Sequence, residues 1–101
     1  MPALTSGRAL LTLSAIAQTS GAYIADWNET HVLNPNWPPH ARFHNGQTMS
    51  MSAGLGLCSL YYTWRAYPTV QSSRQGVVTA MLFGSLYWVT AFSGVLYPGA
   101  K

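Results

Sequence analysis

VVTAMLFGSLYWVTAFSGVLY, residues 77–97, contains no charged side chain, and the uncharged stretch around it fills the 26 positions between Arg74 and Lys101. A helix needs roughly 20 mostly apolar residues to cross the hydrocarbon core of a bilayer. Working outward, 22 uncharged residues separate Arg42 from Arg65, and 17 separate Arg8 from Asp26. Three gaps of spanning length predict an all-α fold, an integral membrane helical bundle in a single domain over residues 1–101. The expected spans lie at about 9–26, 43–64 and 77–97, with a polar, histidine-rich loop at 26–45.

Composition supports lipid rather than water as the solvent. A soluble domain usually carries about 25% charged residues; this chain has 7%, with Asp26 and Glu29 as its acids. Disordered chains are rich in charge and poor in aromatics, whereas here 13% of residues are aromatic. The single cysteine, Cys58, excludes a disulfide framework. The five basic residues are dispersed, so nucleic acid is not an expected partner. The lipid bilayer is.

Local signals punctuate the spans. Pro38-Pro39 reads as a helix start, and Pro68 and Pro98-Gly99 as stops. Small residues recur every four positions at Ala17, Gly21 and Ala25, at Ser50, Gly54 and Cys58, and at Ala80 and Gly84. Such faces let membrane helices pack closely. Tyr87 and Trp88 are expected to fill the bundle at mid-span, and Cys58 to be a packing residue. A cleaved signal peptide is the rival reading of the first span, because Arg8 precedes an apolar run and Ala15-Ile16-Ala17 resembles a cleavage site. With the N-terminus inside, Arg8, Arg65 and Arg74 face the cytoplasm, and Arg42 and Lys101 lie opposite.

The loop DWNETHVLNPNWPPHARFHN, residues 26–45, holds both acids, all three histidines and two of the four tryptophans. A plain helix–helix connection runs to about 2–8 residues, so this one is expected to fold over the membrane face. On a helix starting near Pro39, His40 and His44 share one face, which continues through Gln47, Met51, Gly54 and Cys58. Asp26 and His31 can converge on that pair if the first two helices are antiparallel.

Three chemistries fit those four residues. Asp26, His40 and His44 could ligate a divalent metal such as iron or zinc, although no HExxH signature is present. A histidine–carboxylate pair could instead move protons on a lipophilic substrate. In the third reading the polar groups cap helices, pair Arg42 with Asp26 or Glu29, and anchor the loop at the headgroups.

The block DWNETHVLNPNWPPHARFHNGQTMSM, together with GSLYWVTAFSGVLYPG, resembles an uncharacterised family of small polytopic membrane proteins of fungi and bacteria. The resemblance implies a four-helix pattern, loosely similar in architecture to DoxX-like and anthrone-oxygenase-like proteins. It implies no established activity. This sequence stops at Lys101, where that pattern would continue into a fourth apolar helix. The chain is therefore expected either to be truncated or to have its flank covered by another copy or a partner membrane subunit. The resulting expectation is a small integral membrane protein with a His/Asp site (His40, His44, Asp26 and His31) acting on a hydrophobic metabolite by proton transfer or oxidation. The alternative is an accessory subunit whose loop binds a partner protein.

Overall fold

The computed structural model describes residues 3–100, which form helices and turns and no strand. Three helices follow one another: α1 (Ser6–Asp26), α2 (Pro39–Trp64) and α3 (Val70–Ser93), the last running into a single 3-10 turn, Gly94–Leu96. Each starts at a recognisable signal. Thr5 caps α1 by accepting the Arg8 amide at 3.2 Å, and Pro39 occupies the first turn of α2. Thr69 and Ser72 cap α3 reciprocally, each hydroxyl accepting the other's amide, at 3.0 and 3.1 Å. This capping pair starts α3 at Val70 rather than near residue 77, where the apolar run begins.

Cross-helix hydrogen bonds give the topology. Asp26 meets Asn45, Gln18 meets Ser52 and Thr12 meets Trp64, so α1 and α2 are antiparallel. Ser59 donates to the Ala80 carbonyl at 2.9 Å, joining α2 to α3. Arg8 reaches Ser73 at 3.1 Å, so α1 and α3 start at the same end. The helix ends bearing Arg8, Arg65 and Arg74 therefore gather on one side. The loop of residues 27–38 closes the other side.

What lies inside is small or polar. The buried residues of α2 are Met49, Ser52, Gly56, Ser59 and Thr63, those of α1 are Ala15, Gln18 and Ala22, and those of α3 are Gly76, Ala80 and Gly84. Gln18 and Ser52 exchange side-chain-to-backbone bonds: the Gln18 amide donates to the Ser52 carbonyl, and the Ser52 hydroxyl donates to the Gln18 carbonyl. Large apolar side chains point outward, including Ile16, Ile24, Leu57, Val78, Leu82 and Phe92. A water-soluble amphipathic bundle does the reverse. The surface area is 7006 Å², against roughly 5,600 Å² expected for a compact monomer of this mass.

One expectation needs correction. The small faces expected to pack on α1 and α2 do not do so within the chain: Ala17 and Ala25, and Ser50, Gly54 and Cys58, are exposed. The helices instead meet through a polar heptad-like row one step round the helix. On α3 the expected face does pack, since Ala80 and Gly84 are buried. Of the three expected spans, one helix, Val70–Leu96, is long and apolar enough to cross a membrane, with mean hydropathy 1.4. Helices α1 and α2 have the length, about 31 and 39 Å at roughly 1.5 Å per residue. Their hydropathy is lowered by residues such as Gln18, Thr19 and Ser20 in α1, and by the His40–Thr48 stretch in α2.

Tyr67 closes the short connection between α2 and α3. Its hydroxyl donates to the Tyr62 carbonyl at 2.6 Å, and its ring occupies the place a side chain on Gly76 would take. Desolvation pushes its phenol pKa up, with the Arg65 charge pulling the other way. The folded state thus favours the neutral phenol. Its contribution is complete below the ordinary value of 10.0 and is lost as pH rises through the raised folded value. Replacing Tyr67 by Phe should cost about 0.5–1.5 kcal/mol near neutrality. It should also flatten the loss of stability at alkaline pH, measured by denaturant titration at several pH values.

Candidate functional site

The loop is built from side chains that imitate turns. The Asn28 side-chain oxygen accepts the Thr30 amide at 2.9 Å, and the Asn34 oxygen accepts the Asn36 amide at 2.8 Å. Backbone bonds from Val32 to Asp26 and from Leu33 to Asn28 fold the segment onto the end of α1. Arg42 does not pair with Asp26 or Glu29; its guanidinium donates to the Asn34 carbonyl at 2.8 Å. The His31 ring meets Trp37 edge-on, with centroids 5.6 Å apart. The loop is thereby held against both helix ends.

The four candidate residues separate into two pairs. In the first, His31 Nε2 lies 3.5 Å from Asp26 Oδ1. The other carboxylate oxygen, Oδ2, accepts from the Asn45 amide at 2.9 Å. In the second, His40 Nε2 and His44 Nε2 are 3.0 Å apart, and His44 Nδ1 is 3.2 Å from Gln47 Oε1. In the tautomer that pairs with the Gln47 carbonyl oxygen, His44 holds its proton on Nδ1 and donates it there. His44 Nε2 is then an acceptor, and His40 Nε2–H donates to it. Donation then runs from His40 to His44 and ends on the Gln47 carbonyl oxygen, which accepts.

The pairs stay apart for a simple reason. Successive residues on a helix differ by about 100°, so Asn45, facing α1, turns His44 and His40 away from α1 and from Asp26. The expected ligand set Asp26, His40 and His44 is not assembled. Among the described residues no group of three or more His, Cys, Asp or Glu is arranged to hold a metal ion.

Below His44, a groove of ≈ 430 Å³ opens between α2 and α3, lined by Gln47, Thr48, Met51, Tyr87, Thr90, Ala91 and Gly94. Its size falls within the usual range for small-molecule sites, about 300–1,000 Å³. Gln47 belongs both to the groove wall and to the histidine relay. Helical periodicity alone makes the stripe His40, His44, Gln47, Met51 readable. It does not reach Tyr87 and Thr90, because α3 begins seven residues earlier than its apolar run and its register against α2 is set by packing. Tyr87 therefore lies beside Gln47 near the loop end rather than at mid-span. Asn45, the partner of Asp26, is a further residue that sequence reasoning misses; its signal is the row Asn45, Met49, Ser52, Gly56, spaced four, three and four. Lys101, expected on the loop side, lies outside the described residues.

Residues 10–101 match a family model described as a family of unknown function. No curated protein and no solved structure matches the chain.

Proposed function

The chain belongs to that family, DUF6640, which carries no activity over to it, and we propose that it is an integral membrane protein binding a hydrophobic metabolite in the α2–α3 groove. The supporting observation is the inverted side-chain distribution. Gln18, Ser52, Ser59 and Thr63 have no exposure at all, while Phe92 is 75% and Leu82 56% exposed. In water, exposing so much apolar surface costs roughly 25 cal/mol per Å². In lipid it costs nothing of that kind, and small and hydroxylated residues are the ones that join membrane helices. Val70–Leu96 is apolar enough to cross alone; α1 and α2 would cross with their polar faces turned inward. Tyr61, Tyr62, Trp64 and Tyr67 near one end, and Tyr23, Trp27 and Trp37 near the other, suit the two interfaces.

At the loop-side interface the metabolite's apolar body lies along Met51 and Ala91, and its polar head reaches Gln47, Thr90 and the imidazole pair. The histidines then exchange a proton with a hydroxyl or carbonyl on that head, the role imidazole fills near neutral pH. Asp26, with His31 and Asn45, positions the loop beside the groove rather than acting on the bound molecule. The likeness to DoxX-like and anthrone-oxygenase-like architecture rests on the sequence block alone.

Two measurements test this. Membranes from expressing cells are washed in alkaline carbonate, and the protein should stay in the pellet; release into the supernatant contradicts the membrane reading. Detergent-purified protein is then extracted and its bound small molecules are identified by mass spectrometry. A hydrophobic compound bearing an oxygen function should accompany wild type and be lost from Thr90→Leu, which fills the groove, and from His44→Ala. Equal retention by all three proteins would remove the groove from the proposal.

A further inference from the structure

The end opposite the loop carries three guanidinium groups, Arg8, Arg65 and Arg74, and no carboxylate; both described acids, Asp26 and Glu29, are at the loop end. Among the described residues the one charge pair is His31 with Asp26, so none of the three arginines has an anionic partner within 4.0 Å. They are held in place all the same. Arg8 donates to the Ala3 carbonyl and the Ser73 hydroxyl, each at 3.1 Å, and its Nε is buried with no acceptor. Ser73 precedes Arg74 directly. Arg65 lies over two rings, 5.7 Å from the Tyr61 centroid and 5.1 Å from the Tyr67 centroid.

The arrangement also opposes the helix dipoles. Arg8 is in the first turn of α1 and Arg74 in the second turn of α3, and neither first turn holds an acidic residue. Cations at helix N-termini are disfavoured and anions are favoured there. Two positive helix ends, three unneutralised guanidiniums and a ring of aromatic side chains therefore converge on one face. A negative group from outside the chain would relieve that conflict.

We propose that this face binds the headgroup phosphate of anionic phospholipids, with Arg8 and Arg74 contacting the phosphate and Arg65 held over Tyr61 and Tyr67 at its edge. The proposal rests on the chain lying in a bilayer. Phosphate oxygens accept from guanidinium forks in pairs, which suits a cluster of arginines better than one of lysines. The aromatic side chains Tyr61, Trp64 and Tyr67 supply the amphipathic surroundings of the headgroup level. A lipid, unlike a free ion, brings its charge to this depth without any further binding surface. Anionic lipid concentrated in the cytoplasmic leaflet would then also hold the N-terminus on that side.

The test uses the full chain in detergent micelles titrated with phosphatidylglycerol or phosphatidylcholine, with retained lipid counted by native mass spectrometry. Wild type should retain phosphatidylglycerol preferentially, and the preference should weaken as salt is raised. Each of Arg8→Gln, Arg65→Gln and Arg74→Gln should reduce the preference by about five-fold, as expected for roughly 1 kcal/mol per surface arginine. Arg42→Gln, at the loop end, should leave it unchanged. Among the described residues the Arg65 side chain makes only ring contacts, so its variant should retain the fold and decides the matter if Arg8→Gln does not. A carbonate-resistant wild type that retains both lipids equally overturns this assignment and spares the membrane reading. A wild type found in the aqueous supernatant overturns both. Displacement of the lipid by millimolar inorganic phosphate would move the ligand from lipid to free ion and likewise overturn it.

Discussion

Gly56→Leu is expected to separate α1 from α2, while Gly54→Leu, two residues away, leaves the bundle intact. A Cβ on Gly56 would collide with the Thr19 hydroxyl and stand 3.0 Å from the Ala15 carbonyl oxygen. The hydroxyl can rotate aside; the carbonyl belongs to helical backbone and cannot. At Gly54 a Cβ would meet no atom within 4 Å, because that position faces outward. Overpacking a tight site costs about 1–3 kcal/mol, and a full leucine at this contact should exceed about 3 kcal/mol. The Gly54 variant should stay within about 0.5 kcal/mol of wild type. Unfolding in detergent, followed by helical circular dichroism, measures both. Thr19→Ala should recover part of the loss caused by Gly56→Ala, since it removes the nearest of the colliding atoms. Equal losses at 54 and 56 would mean that the helices do not meet where described.

A lysine placed at Ile16 or at Leu82 gives opposite outcomes in lipid and in water. Ile16 is at the middle of α1 and 53% exposed; Leu82 is at the middle of α3 and 56% exposed. Facing lipid at that depth, each lysine should cost about 2.5–3.5 kcal/mol of insertion free energy. Facing water, the same changes are surface substitutions worth within about 0.5 kcal/mol, and they would improve solubility. The expected result is a sharp fall in carbonate-resistant protein for both variants, with Glu29→Lys in the loop as the unaffected control. Well-folded, freely soluble lysine variants would contradict the lipid environment. Because the two substitutions lie on different helices, agreement between them also speaks for α1 crossing beside α3.

Helix number and approximate extent are legible in the sequence because charge-free runs and proline signals are local. The start of α3 is not, since Thr69 and Ser72 make a cap from two hydroxyls instead of the usual hydroxyl and carboxylate. The packing faces of α1 and α2 escape sequence reading for a physical reason. Small residues permit close approach, but buried hydrogen bonds decide which of two small faces turns inward. Gln18, Ser52 and Ser59 each bond a backbone carbonyl of a neighbouring helix, and these bonds outweigh the freer packing that Ala17 or Gly54 would allow. In the candidate site, periodicity along one helix correctly joins His40, His44 and Gln47. Convergence between elements is beyond it: Asp26 turns to His31 and Asn45 because loop folding and helix rotation, neither of them encoded in spacing, fix its neighbours.

The Gln18–Ser52 exchange has a consequence for depth. Two greasy cylinders in oil have no favoured vertical offset, and either could slide by a turn at little expense. A clasp in which each partner gives a proton to the other's main chain admits one offset only. Under the proposed bilayer setting it would set how far the imidazoles stand from the membrane's centre, and so which part of an embedded molecule they could touch.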